Sequence, residues 1–405
     1  MKTYYNEMGN ELEFLSDFAT IKFGTVEYQG KKIDAEIEKK EGAFILRINE
    51  IIDFDSDEAE FDFKTEFLHL SLEAFITAHK NSITVANKLM SRYSEGKVNS
   101  IKSSSLKSKE PHFLRCNYYL GNNRLLFDYF GFKSSMRVEI NGDVLFVSNQ
   151  ENYIVLESAE QCLCDIFSEN CYSTMVAIGF VTGNFIQDEC HIFQRNNING
   201  KSFFAYEYRK LRSSSYSICH ALTYNPFGYK DLISQEYAEQ LYTNDILKPF
   251  DEVSFSKLAA LIENSSQIQY ALVLFNEANN RSLSLLIKNN CFFAVLEVLR
   301  KFFHEKFKDK FQKEHSQKSN IEKYKLVFGN LISLTQSECD TLEKRNVFLH
   351  GDIKDMECSE MVDVMYKQVS LIYRLVLSFV GYNGYVIDHY ALRNNMPDKA
   401  FVKLN

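Results

Sequence analysis

The amino-acid sequence predicts an α+β protein in which a strand-rich N-terminal domain precedes an all-α domain. Over the first part of the chain, apolar and polar residues alternate in short runs that glycines interrupt, which is typical of strands. From about residue 232 onward, apolar residues recur with the period of about 3.6 that helices show. We therefore expect a strand-rich α+β domain over residues 1–230 and a helical domain over residues 231–405.

Strands are indicated at several places in the N-terminal region. Residues 25–51 alternate in character and contain glycines at the turns, so they predict a meander. Residues 137–149 place Asn-Gly-Asp between two alternating runs, which is a strong hairpin signal. Further strands are expected over 187–194 and 202–211, whereas the Ser- and Lys-rich residues 86–110 are expected to form an exposed loop in part.

Helices are predicted where apolar residues follow the helical spacing. One lies over residues 157–183 and ends at Gly183, a residue type suited to the end of a helix. Six more segments of the C-terminal region show an amphipathic pattern, with short polar joints between them. These segments are 234–248, 254–265, 267–280, 283–307, 334–350 and 359–382.

The composition of the chain argues against several classes of protein. Apolar residues make up 45% of the chain, which excludes wholesale disorder, and the net charge of −8 argues against a protein that coats nucleic acid along its whole surface. We expect no transmembrane helix and no signal peptide, because the apolar runs are too short for either. The nine scattered cysteines fit reduced thiols, so a cytoplasmic location is expected.

The stretch "RNVFLHG" is the strongest candidate for a site. It places Arg345 and the polar Asn346 shortly before His350, and Gly351 follows directly. Histidine titrates near neutral pH and serves as a general acid or base, whereas arginine stays charged and binds phosphate through two donors. Cleavage of RNA through its 2′-hydroxyl needs both actions and no metal ion. The alternative is a helix end at which His350 interacts with the helix dipole.

This stretch resembles the signature of the HEPN superfamily of ribonucleases, in which an arginine and a polar residue precede a histidine by a few positions. The resemblance covers about residues 245–385, and the strand-rich N-terminal part is similar to anti-phage-defence HEPN proteins of the ApeA type. It implies an all-α HEPN-like bundle, a dimer that pairs two motifs in one composite site, and no cofactor. It also implies that Glu297 helps to hold Arg345, and that Asn346 orients His350 or a phosphate oxygen.

Helical spacing adds a constraint on this site. At 100° per residue, side chains five positions apart point about 140° away from each other. Arg345 and His350 therefore do not converge on one group unless the helix ends or distorts between them.

Other candidate sites are weaker. Residues 300–325 are rich in Lys and Arg, so they either bind phosphate or form a solvated helix face that includes Arg300 and His304. Cys162, Cys164, Cys171, Cys190 and His191 lack the usual zinc spacing, so we expect buried thiols there rather than a metal site. The acidic stretch near residue 55 lacks the glycine of a calcium loop.

The sequence favours a metal-independent endoribonuclease with RNA as its partner. The resemblance implies a role in anti-phage defence by abortive infection, in which RNA cleavage halts translation; structured RNA such as tRNA is one expected target, and the phage-derived trigger is unknown. Two other functions stay open. In the first, the helical domain is a non-catalytic module that dimerises or holds RNA. In the second, the chain is a toxin under the control of a separate antitoxin.

Overall fold

The structure of the protein is a computed structural model. It describes residues 10–28, 30–40, 42–51, 58–66, 69–85, 88–120, 135–150, 153–197, 202–217, 219–222, 239, 241, 243, 246–247, 250–311, 319–351, 356–396 and 399–404.

The chain forms two compact units that alternate along the sequence. The first comprises Met1–Asn122, Leu145–Ser168 and Gln187–Ser213, and the second comprises Asn123–Val144, Glu169–Ile186 and Ser214–Asn405. A strand-rich, barrel-like N-terminal region followed by a helical C-terminal region confirms the α+β class. The predicted boundary between residues 230 and 231 lies outside the described residues.

The strands of the N-terminal region fall largely where alternation predicts them. They are β1 (Lys22–Tyr28), β2 (Lys31–Lys40), β3 (Ala43–Ile48), β4 (Glu58–Lys64), β5 (His69–Val85), β6 (Lys88–Ser103), β7 (Phe113–Tyr119), β8 (Ser135–Ile140), β9 (Asp143–Gln150), β10 (Tyr153–Ser158), β11 (Asn184–Phe185), β12 (Glu189–Arg195), β13 (Ala205–Lys210) and β14 (Ser215–Tyr216).

Six antiparallel strands of the first unit close into a ring. Their order is β3-β2-β1-β4-β5-β6, and β3 pairs with β6 to complete it. On the other side of β6, strands β13, β12, β7, β10 and β9 continue the sheet in that order. The predicted meander is therefore confirmed as β1, β2 and β3, and the hairpin at Asn141 and Gly142 is confirmed as the turn between β8 and β9, since both residues have positive φ angles.

The prediction that part of residues 86–110 forms an exposed loop is confirmed for the end of this segment. Residues 104–111 form the expected exposed loop, but residues 88–103 form strand β6. This polar strand is stabilised by partners far away in sequence, because β5, β3 and β13 all pair with it. Composition alone reports none of these pairings.

A buried ion network ties the N-terminal helix α1 (Asn10–Phe18) to the sheet. The Arg115 guanidinium lies 2.9 Å from the Glu11 carboxylate and 2.6 Å from that of Glu157, and Arg195 lies 3.0 Å from Glu157. Burial raises the pKa of Glu11, although the charges of Arg115 and Arg195 oppose that rise. Each of these charged groups is therefore stable in the protein interior only because groups of opposite charge lie beside it.

The second unit consists mainly of helices. They are the part of α2 (Cys164–Thr182) from Glu169 onward, α3 (Glu252–Glu263), α4 (Ser266–Ala278), α5 (Leu285–Lys306), α6 (Lys308–Phe311), α7 (Asn320–Phe328), α8 (Gln336–Glu343), α9 (Arg345–His350), α10 (Cys358–Phe379) and α11 (His389–Arg393); strands β15 (Tyr385–Ile387) and β16 (Phe401–Lys403) pair near its end.

Four of the predicted helices are confirmed with small changes of their bounds, as α3, α4, α5 and α10. The helix ending at Gly183 is also confirmed, and that glycine has a φ of 73°. It begins later than predicted, because residues 157 and 158 belong to strand β10. The predicted segment 234–248 lies largely outside the described residues.

Aromatic side chains join four helices in the core of the second unit. The ring of Phe180 on α2 lies 5.2 Å from that of Phe275 on α4 and 5.0 Å from that of Tyr373 on α10. Phe275 in turn contacts Phe292 on α5, with ring centroids 5.5 Å apart. These tilted and edge-on contacts hold the long helices α5 and α10 against α4, and α5 carries part of the candidate site.

We expect Arg115→Met to lower the free energy of unfolding by about 3–5 kcal/mol, because the buried carboxylates of Glu11 and Glu157 lose the cation nearest to both and are left to share Arg195. The measurement is urea denaturation followed by circular dichroism. Lys31→Met is the matched control, since Lys31 pairs with Glu50 at the surface and its loss should change stability by less than about 0.5 kcal/mol. Equal effects of the two substitutions would contradict this account of the network.

We expect the second unit to lose stability as the pH falls from about 6.5 to about 4. Burial lowers the pKa of His389 to about 4, so the folded chain keeps this ring neutral while the unfolded chain takes up a proton below its ordinary value near 6.5. The loss should approach about 1.4 kcal/mol per pH unit for this group. His389→Gln should reduce the slope in urea denaturation curves recorded across that range; an unchanged slope would contradict the prediction.

Candidate active site

The candidate motif lies on a short helix of its own. The predicted single helix over 334–350 is divided in the structure into α8 and α9, with Lys344 at the joint. The Lys344 N–H donates to the carbonyl of Thr341, three residues back, which tightens the last turn of α8. The break therefore comes directly before Arg345, and the motif begins the new helix.

Gly351 ends this helix, as the sequence predicts. Its φ is 76°, in the left-handed region where glycine is the favoured residue. Phe348 anchors the helix from its inner side, because its ring is buried and lies 5.6 Å from that of Phe293 on α5. The helix is thus held at its centre and stopped at its end, while its other side remains at the surface.

Arg345 is half-buried at the start of α9. Its Nη1 donates to the Oδ1 of Asn346 over 3.1 Å. Its Nε is buried and has no acceptor among the described residues. A buried donor without a partner is costly, so this guanidinium has hydrogen-bonding capacity left for an anion.

Glu297 lies near Arg345, but its hydrogen bonds go elsewhere. Its Oε1 accepts from Nη2 of Arg300 over 2.7 Å, and its Oε2 accepts from the Tyr324 hydroxyl over 2.7 Å. Burial by itself raises the pKa of Glu297, yet these hydrogen bonds and the charges of Arg300 and Arg345 bring it below its usual value. Arg345 therefore acts on this carboxylate through its charge rather than through a hydrogen bond.

Two residues of this cluster, Arg300 and Tyr324, were missed at the level of sequence. Arg300 was assigned to a solvated face, but it follows Glu297 by three positions on α5, a spacing that brings side chains together on a helix. That spacing in the sequence is a local signal for the pairing of Arg300 with Glu297. Tyr324 comes from α7 and reaches Glu297 only through the fold, so no local pattern identifies it.

His350 and Asn346 are exposed at the surface of α9. The helix continues from Arg345 to His350 without a break between them. The two side chains therefore keep the angle of about 140° that an unbroken helix imposes. Within the described residues, the His350 ring makes no hydrogen bond, and the neighbouring Leu349 is 43% exposed.

The other candidate sites show mixed outcomes. In the basic segment, the His304 ring stacks on that of Phe311 with centroids 5.6 Å apart, so it is not a purely solvated face; residues 312–318 lie outside the described ranges. Cys164, Cys171 and Cys190 are buried thiols, as expected, whereas Cys162 is only partly buried. Among the described residues, no group of three or more His, Cys, Asp or Glu side chains has an arrangement that could hold a metal ion.

Comparison of the sequence and the structure with protein-family models, with curated proteins and with solved structures found no match. Of the helices in the described ranges, none combines the length and the apolar composition needed to cross a membrane.

We expect Gly351→Ala to lower the free energy of unfolding by about 1 kcal/mol, because an alanine at a φ of 76° is strained. Thermal unfolding by calorimetry measures this change. Gly351→Asn is the control, since asparagine tolerates the left-handed region and should cost less. If alanine were as stable as glycine here, the helix end would not depend on this backbone conformation.

Proposed function

We propose that this protein is a metal-independent endoribonuclease of the HEPN type. The proposal is carried chiefly by the state of Arg345, a half-buried guanidinium with an unpartnered Nε beside a carboxylate that other groups already hold. Such a group is suited to a phosphodiester, because the phosphate oxygens are ready acceptors for its free donors. His350 lies on the same short helix and is open to solvent.

The reaction follows from the chemistry of RNA. His350 removes the proton from a 2′-hydroxyl, whose oxygen then attacks the adjacent phosphorus. Arg345 stabilises the charge that develops on the phosphate oxygens. The bond to the leaving 5′-oxygen breaks as that oxygen takes a proton from a water molecule, and the resulting hydroxide takes up the proton that His350 removed. The products are a 2′,3′-cyclic phosphate and a 5′-hydroxyl.

The proposed active unit is a homodimer. Arg345 and His350 diverge by about 140° on one unbroken helix, so one helix does not direct both at the same phosphate. In the proposed dimer, His350 of one copy acts with Arg345 of the other, and exposed Leu349 lies at the contact. The proposed setting is the cytoplasm during anti-phage defence, with structured RNA as the target and with the strand-rich unit as sensor or regulator.

A second candidate is a module that holds RNA without cleaving it. It is favoured by the same divergence of Arg345 and His350, and by the lack of a described hydrogen bond that would orient the His350 ring. Orientation of the base by a neighbouring group is usual in acid–base catalysis. This candidate predicts saturable RNA binding with no turnover.

We expect the purified full-length chain to cleave tRNA in EDTA, and His350→Ala and Arg345→Ala each to lower the rate by about 10²–10⁴-fold. The rate is measured by gel electrophoresis of end-labelled RNA, and circular dichroism checks that the variants are folded. His69→Ala, which removes a half-exposed histidine of the first unit, is the control and should cleave like the wild type.

Cleavage that persists in both variants would remove this site from the reaction. Binding of tRNA without cleavage by the wild type would support the second candidate.

A further inference from the structure

The carboxylate of Glu297 lies between two arginines but pairs with one of them. Arg300 contacts both of its oxygens, with Nη2 at 2.7 Å from Oε1 and Nε at 3.3 Å from Oε2. The Tyr324 hydroxyl donates to Oε2 over 2.7 Å. Both carboxylate oxygens of Glu297 therefore already accept hydrogen bonds from Arg300 or Tyr324. Arg345 makes no described hydrogen bond to this carboxylate.

Arg300 is held firmly in this arrangement. Its side chain is only 11% exposed, and its guanidinium lies over the ring of Tyr324 at 5.6 Å from the centroid. Two donors, a stacked ring and a partly buried carboxylate fix its position better than a single surface ion pair would. The negative charge of Glu297 thus faces the positive charge of Arg300 at hydrogen-bond distance, whereas the exposed Lys301 lies farther away, with its Nζ 3.8 Å from Oε1.

We propose that Arg300 is a positioning residue that keeps Arg345 available for an RNA phosphate by neutralising and holding Glu297. The inference rests on the proposed function, because it takes the phosphate to be that of RNA. It assigns Glu297 a role opposite to the expected one: the carboxylate does not hold Arg345 but is kept away from it.

The physical reason is competition between two anions for one cation. Without Arg300, the half-buried Glu297 carboxylate would lose its hydrogen-bonded cation and keep the exposed, more distant Lys301, while lying close to the unpartnered Nε of Arg345. An intramolecular carboxylate that is partly shielded from water competes strongly with a phosphodiester that arrives from solution. Arg345 would then pair with Glu297, and binding of phosphate would weaken.

The test measures binding rather than cleavage. Its probe is a fluorescein-labelled 2′-O-methyl RNA oligonucleotide, which cannot be cleaved through the 2′-hydroxyl, and its readout is fluorescence anisotropy with the full-length chain. We expect Arg300→Met to weaken binding about tenfold, and the slope of log affinity against log salt concentration to fall by about 0.7, the value for one lost phosphate contact on a single strand.

A second substitution separates positioning from a direct contact. In Arg300→Met/Glu297→Gln the competing charge is gone, so binding should return to within about threefold of the wild type. Arg300→Lys keeps the neutralising charge and should also bind nearly normally. Lys306→Met is the control, because it removes one positive charge from an exposed position of the same helix α5, where the amine lies over the ring of Phe302 rather than beside Glu297.

Several outcomes would overturn the inference: unchanged binding by Arg300→Met, an equal loss in Lys306→Met, no recovery in the double variant, or no binding by the wild type. Circular dichroism checks the fold, and Arg300→Gln replaces Arg300→Met if the latter unfolds. The expected pattern of binding in a chain that fails to cleave tRNA would retain the inference for phosphate binding while excluding the nuclease.

Discussion

The candidate site depends on the hydrogen bonds and charge interactions of the Glu297 carboxylate. This carboxylate joins α5 to α7 through the Tyr324 hydroxyl, and its charge is felt by Arg345 at the start of α9. Three helices that are separate in sequence are therefore coupled through one partly buried negative charge. Because that charge is balanced by Arg300, the neighbouring Arg345 is not needed to balance it.

In the first unit, too, buried carboxylates are paired with guanidinium groups. There Arg115 and Arg195 face Glu11 and Glu157, so each of these buried carboxylates lies beside a guanidinium. Burial of such groups is favourable only where each has a partner at hydrogen-bond distance. In the second unit the ion pair lies within α5, and the Tyr324 hydroxyl joins this helix to α7. The Nε of Arg345 is one of several buried polar atoms without a described partner, and it lies beside a carboxylate that other groups hold.

Some features of the candidate site were predictable from the sequence, and others were not. The pairing of Arg345 with Asn346 involves neighbours in sequence, and the end of the helix at Gly351 follows from the conformational freedom of glycine. The break at Lys344 was not predicted, since the apolar spacing runs on through both short helices. Tyr324 was also missed, because a hydrogen bond between α7 and α5 leaves no periodic signal in the sequence.

The sequence by itself determined the α+β class, the meander of β1 to β3, the hairpin at Asn141 and Gly142, and most of the long helices. These features depend on neighbours within a few residues, where alternation, helical period and turn residues act directly. Only the tertiary structure decided that the polar residues 88–103 form a strand, that the first six strands close into a ring, and that the Tyr324 hydroxyl reaches Glu297. These depend on partners brought together by folding, which no local pattern specifies.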